Sequence, residues 1–155
     1  MTGKYFSGTH LRMVERLLQP NVDYFLKSFW EEHLNEPCFI GKTGHPTWPK
    51  LTLTEEANKE PLKLVYNSDW SISFFAPSIG KWLKVDGGAY LIQQGIEGAS
   101  QFEPLMTNEN DGIVLRTVPF WEYLSIAGDD SAEPGSVKTS SDGYKAAKFK
   151  FLPVN

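Results

Sequence analysis

Apolar positions recur at a two-residue period over short stretches of the chain, as at Ile72 and Phe74 and again at Ile113 and Leu115. This is the period of half-buried strands. The stretches end in Gly, Pro, Asn and Asp, residues that supply turn geometry. The pattern predicts twelve strands: Val22 to Phe29, Cys38 to Lys42, Lys50 to Thr54, Leu62 to Tyr66, Ser71 to Ala76, Lys81 to Val85, Tyr90 to Gln94, Phe102 to Met106, Ile113 to Val118, Glu122 to Ile126, Ser136 to Thr139 and Lys148 to Pro153.

The pattern repeats. "GKWLKVDG" from Gly80 and "WEYLSIAG" from Trp121 superpose at an offset of 41 residues, which lays Trp82 on Tyr123, Leu83 on Leu124, Gly87 on Gly128, Ile72 on Ile113, Phe74 on Leu115 and Leu64 on Leu105. A fainter third copy places Phe39 and Ile40 at the aromatic-aliphatic positions, and "FKFL" at Phe149 to Leu152 repeats the spacing of "FEPL" at Phe102 to Leu105. A unit that cannot bury its apolar face alone must pack against its copies. Closing many short strands into a barrel also removes edges that would template aggregation. The expected fold is all-β, a β-trefoil of three four-stranded units about a pseudo-threefold axis. The recurring aromatic-aliphatic pairs, Phe39, Trp82 and Tyr123 with their neighbours, are expected to point into its core.

Leu11, Val14 and Leu18 fall at helical spacing before Pro20, so residues 1–20 are expected to form a short N-terminal helical extension and residues 21–155 the trefoil domain. The helix packs on the domain in one reading and offers a partner surface in the other. "GDDSAEPGSVKTSSDGYKAAK", Gly128 to Lys148, is Gly-, Ser-, Asp- and Lys-rich and reads as a mobile surface excursion.

Composition narrows the function. Fifteen basic and nineteen acidic residues give a net charge of -4, and without a basic cluster nucleic-acid binding is not expected. The single Cys38 reads as a small buried hydrophobe. No uninterrupted apolar stretch of spanning length, no leader-like N-terminus and no Asn-x-Ser/Thr acceptor is present, so a cytoplasmic address without membrane insertion is expected. Five Trp, six Tyr and ten Phe exceed what one core needs, which leaves rings for recognition.

If the repeats make the core, function belongs where they differ. Trp121 occupies the hairpin position that Gly80 fills in the sister unit, and a ring at a tight turn is not core. With Glu122 beside it, this position suits sugar recognition, the indole stacking on a pyranose face while carboxylates take hydroxyls; the competing reading is a wedge under a loop. Trp70 with Asp69 follows a turn that has "END" in its counterpart, and His45 and Trp48 lie in "KTGHPTWPK", where Trp48 is either a ligand platform or a cap over the barrel bottom. "WEEHLNEP" at Trp30 to Pro37 is a longer excursion than its counterparts and could reach a ligand.

His10, His33 and His45 lack metal-ligand spacing, and neither a nucleophile elbow nor a phosphate-cradling loop is present. Adjacent carboxylates such as Glu31 and Glu32 point to opposite faces of a strand and cannot flank one bond. No cofactor, metal or enzymatic activity is expected.

"DGIVLRTVPFWEYLSIAGDD", preceded by "FEPL", resembles the β-trefoil repeats of fascin-like and hisactophilin-like proteins, and "FLKS" with "GKWLKVDGGAYLIQ" resembles the amaranthin-type agglutinin domain over roughly Val22 to Asn155. The resemblance implies a lectin for glycans or glycoproteins of N-acetylgalactosamine or galactose type, and a homodimer. The Gln-x-Trp mark of ricin-type trefoils is absent. Two functions are carried forward: a non-catalytic carbohydrate-binding protein with one or two shallow surface sites, and a protein-interaction module (inhibitor, cytoskeletal linker or receptor-binding) acting through its loops or N-terminal helix.

Overall fold

The computed structural model describes residues 18–28, 38–45, 47–92, 95–106, 112–119, 121–128 and 131–154. They form twelve strands: β1 (Asp23–Ser28), β2 (Phe39–Lys42), β3 (Leu51–Thr54), β4 (Leu62–Tyr66), β5 (Ile72–Ala76), β6 (Lys81–Asp86), β7 (Gly88–Ile92), β8 (Gln101–Met106), β9 (Ile113–Val118), β10 (Tyr123–Ile126), β11 (Val137–Ser140) and β12 (Phe149–Pro153). Eleven lie within one residue of the expected bounds at each end. The exception, β7, starts two residues early because the hairpin turns on Gly87 alone, at φ +72°, and Gly88 already pairs with Asp86.

Antiparallel pairing runs β1–β4–β5–β8–β9–β12 and returns to β1, closing a six-stranded barrel with no open edge. The other six strands form three hairpins, β2–β3, β6–β7 and β10–β11. Single bridges join the hairpins to one another, Lys50 to Tyr90, Thr52 to Ser136 and Lys138 to Gly88. Three barrel pairings are equivalent in the three units: Tyr24 with Leu62, Ile72 with Phe102, and Ile113 with Phe149. All six residues are buried and belong to one core cluster, so the repeated apolar positions meet in one ring. The arrangement is trefoil-like.

Two sequence expectations about register need correction. First, the aromatic-aliphatic pairs do not both point inward. Ile40, Leu83 and Leu124 are buried in the core, whereas Trp82 and Tyr123 are only half-buried, because successive strand residues face opposite sides. The aromatic members pack on the outer face, each opposite an equivalent residue: Phe39 opposite Lys27, Trp82 opposite Phe75, Tyr123 opposite Arg116. Second, Leu64 corresponds to Pro104 and not to Leu105: Leu64 opposes Phe74, Pro104 opposes Leu115, and Leu105 lies on the other face with Val114. The step from Met106 to its partner Ile113 is one residue longer than the step from Tyr66 to Ile72, which shifts the offset between the strands on either side.

The expected N-terminal helix is not supported. Residues 18–20 form a bend and a turn, and the rest of that segment lies outside the described residues, as does the loop at 29–37. Leu18 is fully buried in the core, and its carbonyl accepts from the Tyr66 hydroxyl at 3.0 Å. The described part of the Gly128–Lys148 excursion is tied to the hairpin: the Ala147 amide donates to the Leu124 carbonyl at 2.8 Å, and the Ser125 hydroxyl to the Lys145 carbonyl at 2.6 Å.

One buried carboxylate escaped the sequence reading. Glu60, nearly fully buried ahead of β4, accepts from Lys42 Nζ at 2.6 Å and from the Ser78 hydroxyl. It thereby joins the β2 end to the β5–β6 turn, and pairing with a cation and a donor is what makes a buried carboxylate tolerable.

Candidate functional site

The β9–β10 connection carries one of two exposed tryptophans with positive φ among the described residues. Trp121 has φ +58°, in the left-handed region that costs an ordinary L-residue about 1–2 kcal/mol. In the equivalent β5–β6 turn Gly80 has φ +66°, and the backbone bond is also the same: the Trp121 amide donates to the Thr117 carbonyl at 3.0 Å, the Gly80 amide to the Ala76 carbonyl at 2.9 Å. Thr117 fastens the turn further, its amide donating to the Glu122 carbonyl at 2.6 Å and its hydroxyl accepting from the Glu122 amide at 3.0 Å. The backbone conformation therefore belongs to the turn, and the indole is the departure from it.

The ring is 53% exposed and lies over the Arg116 guanidinium, 4.4 Å from its centroid. Arg116 is itself buried and ion-paired to Glu103 on β8, directly across the ladder. The outer-face positions equivalent to Arg116 are used differently. Lys27 covers the Phe39 ring at 5.6 Å, and Phe75 packs on Trp82 at 4.9 Å. Among the described residues, the third unit places a charged pair beneath an exposed indole, and the second unit does not. Glu122 adds a half-buried carboxylate next in sequence, with no side-chain partner among the described residues. Arg116 and Glu103 were missed by sequence reasoning. Their separation of thirteen positions becomes adjacency only through the β8–β9 register.

Trp70 also has a positive φ, +70°, and is 51% exposed, with its ring edge-on to Tyr66 at 6.0 Å. Asp69 beside it is occupied locally: its carboxylate accepts from the Ser71 hydroxyl at 2.6 Å and the Ser71 amide at 3.1 Å, and these bonds hold its pKa below the ordinary value. Trp70 and Trp121 lie in different turns. Three strand spacings, β5 to β8 to β9 to β10, put their turns about 14 Å apart along a curved sheet.

His45 and Trp48 are brought together in the β2–β3 loop. Their rings stack nearly parallel, 5° apart with centroids at 5.5 Å. His45 Nδ1 accepts from the Thr47 and Trp48 amides at 3.1 and 2.9 Å, so in the neutral ring the proton sits on Nε2. Lys81 Nζ donates to the Thr47 carbonyl at 2.9 Å. Trp48 is 58% exposed. The six residues singled out from sequence thus form three separate aromatic positions. Among the described residues no three His, Cys, Asp or Glu side chains converge as a metal set, and no helix is long and apolar enough to cross a membrane.

No protein-family model and no curated protein matches the sequence. Solved structures match the fold. ThreeFoil, a designed three-fold symmetric protein, is 15% identical over 85% of this chain and 99% of its own, with a TM-score of 0.62. A water-soluble chlorophyll protein from Brassica oleracea var. Botrytis is 11% identical over 89% of this chain and 94% of its own, also at 0.62. A GlcNAcα1-4Gal-releasing endo-β-galactosidase from Clostridium perfringens is 13% identical at a TM-score of 0.61; the match covers 86% of this chain but 33% of that enzyme, so the chain spans about a third of its length. At these identities the likeness is one of fold, which hosts unrelated functions.

Proposed function

We propose that the protein is a non-catalytic carbohydrate-binding protein of the β-trefoil kind, whose principal site is the outer indole face of Trp121. The observation that carries this reading is a tryptophan held exposed in a backbone conformation that the sister turn assigns to glycine. Strain retained where glycine would relieve it marks a functional position. An exposed indole offers the flat apolar surface on which a pyranose face stacks, and the Glu122 carboxylate alongside accepts from its hydroxyls.

The charge arrangement favours a neutral sugar, of the galactose or N-acetylgalactosamine type. The Arg116 charge is neutralised by Glu103, and Glu122 leaves the position net acidic, which repels uronic or sialic acids. Binding without turnover is the reading the pairing supports, since the usual glycosidase scheme uses two carboxyl groups and Glu103 is held by Arg116. Two of the solved structures of this fold are galactosidases, in which the resembling part is a third of the chain or less. The His45–Trp48 stack is a second, shallower platform.

A glycan array probed with the full chain tests the reading. Signal on galactose- or N-acetylgalactosamine-terminated glycans, competed by the soluble sugar, is the expected result. Absence of any sugar-dependent signal, together with a protein partner that sugars do not displace, would overturn it in favour of a protein-interaction module.

A further inference from the structure

We infer that Tyr144 is a second aromatic subsite beside Trp121 and that the ligand is therefore an oligosaccharide; this rests on the carbohydrate reading above. Tyr144 is fully exposed, on a single-turn 3-10 helix, Gly143–Lys145, that follows β11. The turn is firmly placed. The Asp142 carboxylate accepts from the Tyr144 amide at 2.9 Å, and the Lys145 amide donates to the Asp142 carbonyl at 3.0 Å. The following residues are bonded back to Leu124 and Ser125 on β10. A Cβ added to Gly143 would lie 3.6 Å from Tyr123 Cε2, so the turn rests on the Tyr123 ring.

Tyr123 connects the two positions. Across the sheet it pairs with Arg116 on one side and Ser140 on the other. Arg116 carries the Trp121 ring, and Ser140 leads directly into the turn that bears Tyr144. The turns that bear the two exposed rings thus flank the half-buried Tyr123, and the strand positions they spring from, Arg116 and Ser140, are about two strand spacings apart, on the order of 10 Å. That span exceeds one pyranose ring and suits consecutive residues of a sugar chain. An exposed phenol stacks on one such residue and hydrogen-bonds its hydroxyls through its own O–H.

Calorimetric titration with N-acetylgalactosamine and with di-N-acetyllactosamine, a linear galactose-containing tetrasaccharide, distinguishes the outcomes. Because Tyr144 is fully exposed, its substitution leaves the fold intact. Tyr144→Ala is expected to weaken tetrasaccharide binding about tenfold and to leave monosaccharide binding unchanged, Tyr144→Phe to retain most of the tetrasaccharide affinity, and Trp121→Ala to weaken both ligands. Equal tetrasaccharide affinity in wild type and Tyr144→Ala overturns the subsite while the carbohydrate reading stands. Failure of the wild type to bind either sugar overturns both.

Discussion

Trp121 and Gly80 occupy the same place in sister turns: both have positive φ, +58° and +66°, and both donate their amide to the carbonyl four residues earlier. One position accepts this backbone at no steric cost. The other bears the largest side chain in the repertoire, held by a cation-π contact to Arg116. The turn needs glycine's conformation, and the indole is an addition to it that packs on Arg116.

Replacing the indole is therefore expected to discriminate backbone from side chain. Trp121→Gly should be more stable than Trp121→Ala by about 1 kcal/mol, because both lose the ring and only glycine relieves the left-handed backbone. Gly80→Ala should cost a similar amount. Urea unfolding midpoints at constant slope measure both. An alanine variant as stable as the glycine variant would contradict the assigned backbone.

The Arg116–Glu103 pair is expected to set selectivity as well as stability. Glu103→Gln leaves a buried guanidinium without its counter-charge, lowering stability by about 2 kcal/mol, and it removes one negative charge beside Trp121. Binding of galacturonic acid relative to galactose should rise by several-fold in this variant. An unchanged ratio would show that the pair plays no part in choosing the ligand.

Asp69 makes a pH-dependent prediction. Its folded pKa is depressed below 3.8 by the Ser71 hydroxyl and then the Ser71 amide. The stabilisation is therefore present above the unfolded-state value and is lost as pH falls from there through the lower folded value. Ser71→Ala removes the larger cause, so the Asp69 carboxyl resonance in an NMR titration should move to higher pH. A titration unchanged by the substitution would contradict the hydrogen bond.

Glu60 is expected to behave as a structural clasp unconnected with binding. Glu60→Ala removes the acceptor for both Lys42 and Ser78 and should cost about 2 kcal/mol, with Ser78→Ala costing about 1. Glycan affinity at temperatures where the variants remain folded should equal that of the wild type. Loss of binding without loss of stability would place Glu60 in the site.

Much of the fold was legible because the repeat carries it. Ile72, Phe74, Ile113 and Leu115 announced their shared role by period and offset, and the strand bounds followed from the intervening turn residues. The Trp121–Gly80 equivalence was legible for the same reason. Which member of each aromatic-aliphatic pair faces inward was not, because Trp82 and Leu83 are both apolar and only the ladder parity chooses between them. The offset slip between Leu64 and Pro104 is equally silent, since Leu105 is as apolar as either and it too is buried. Arg116 and Glu103 meet by strand register, and the turn that bears Tyr144 rests on Tyr123 through Gly143; neither relationship leaves a local motif.

The central claim is that the exposed face of Trp121 binds sugar, and Trp121→Gly tests it most directly, since this variant removes the ring while easing the backbone. Wild type and Trp121→Gly should unfold at closely similar urea concentrations, with galactose- and N-acetylgalactosamine-terminated glycans captured on an array by the wild type and lost by at least tenfold in the variant. Undiminished capture by a folded Trp121→Gly protein would contradict the account.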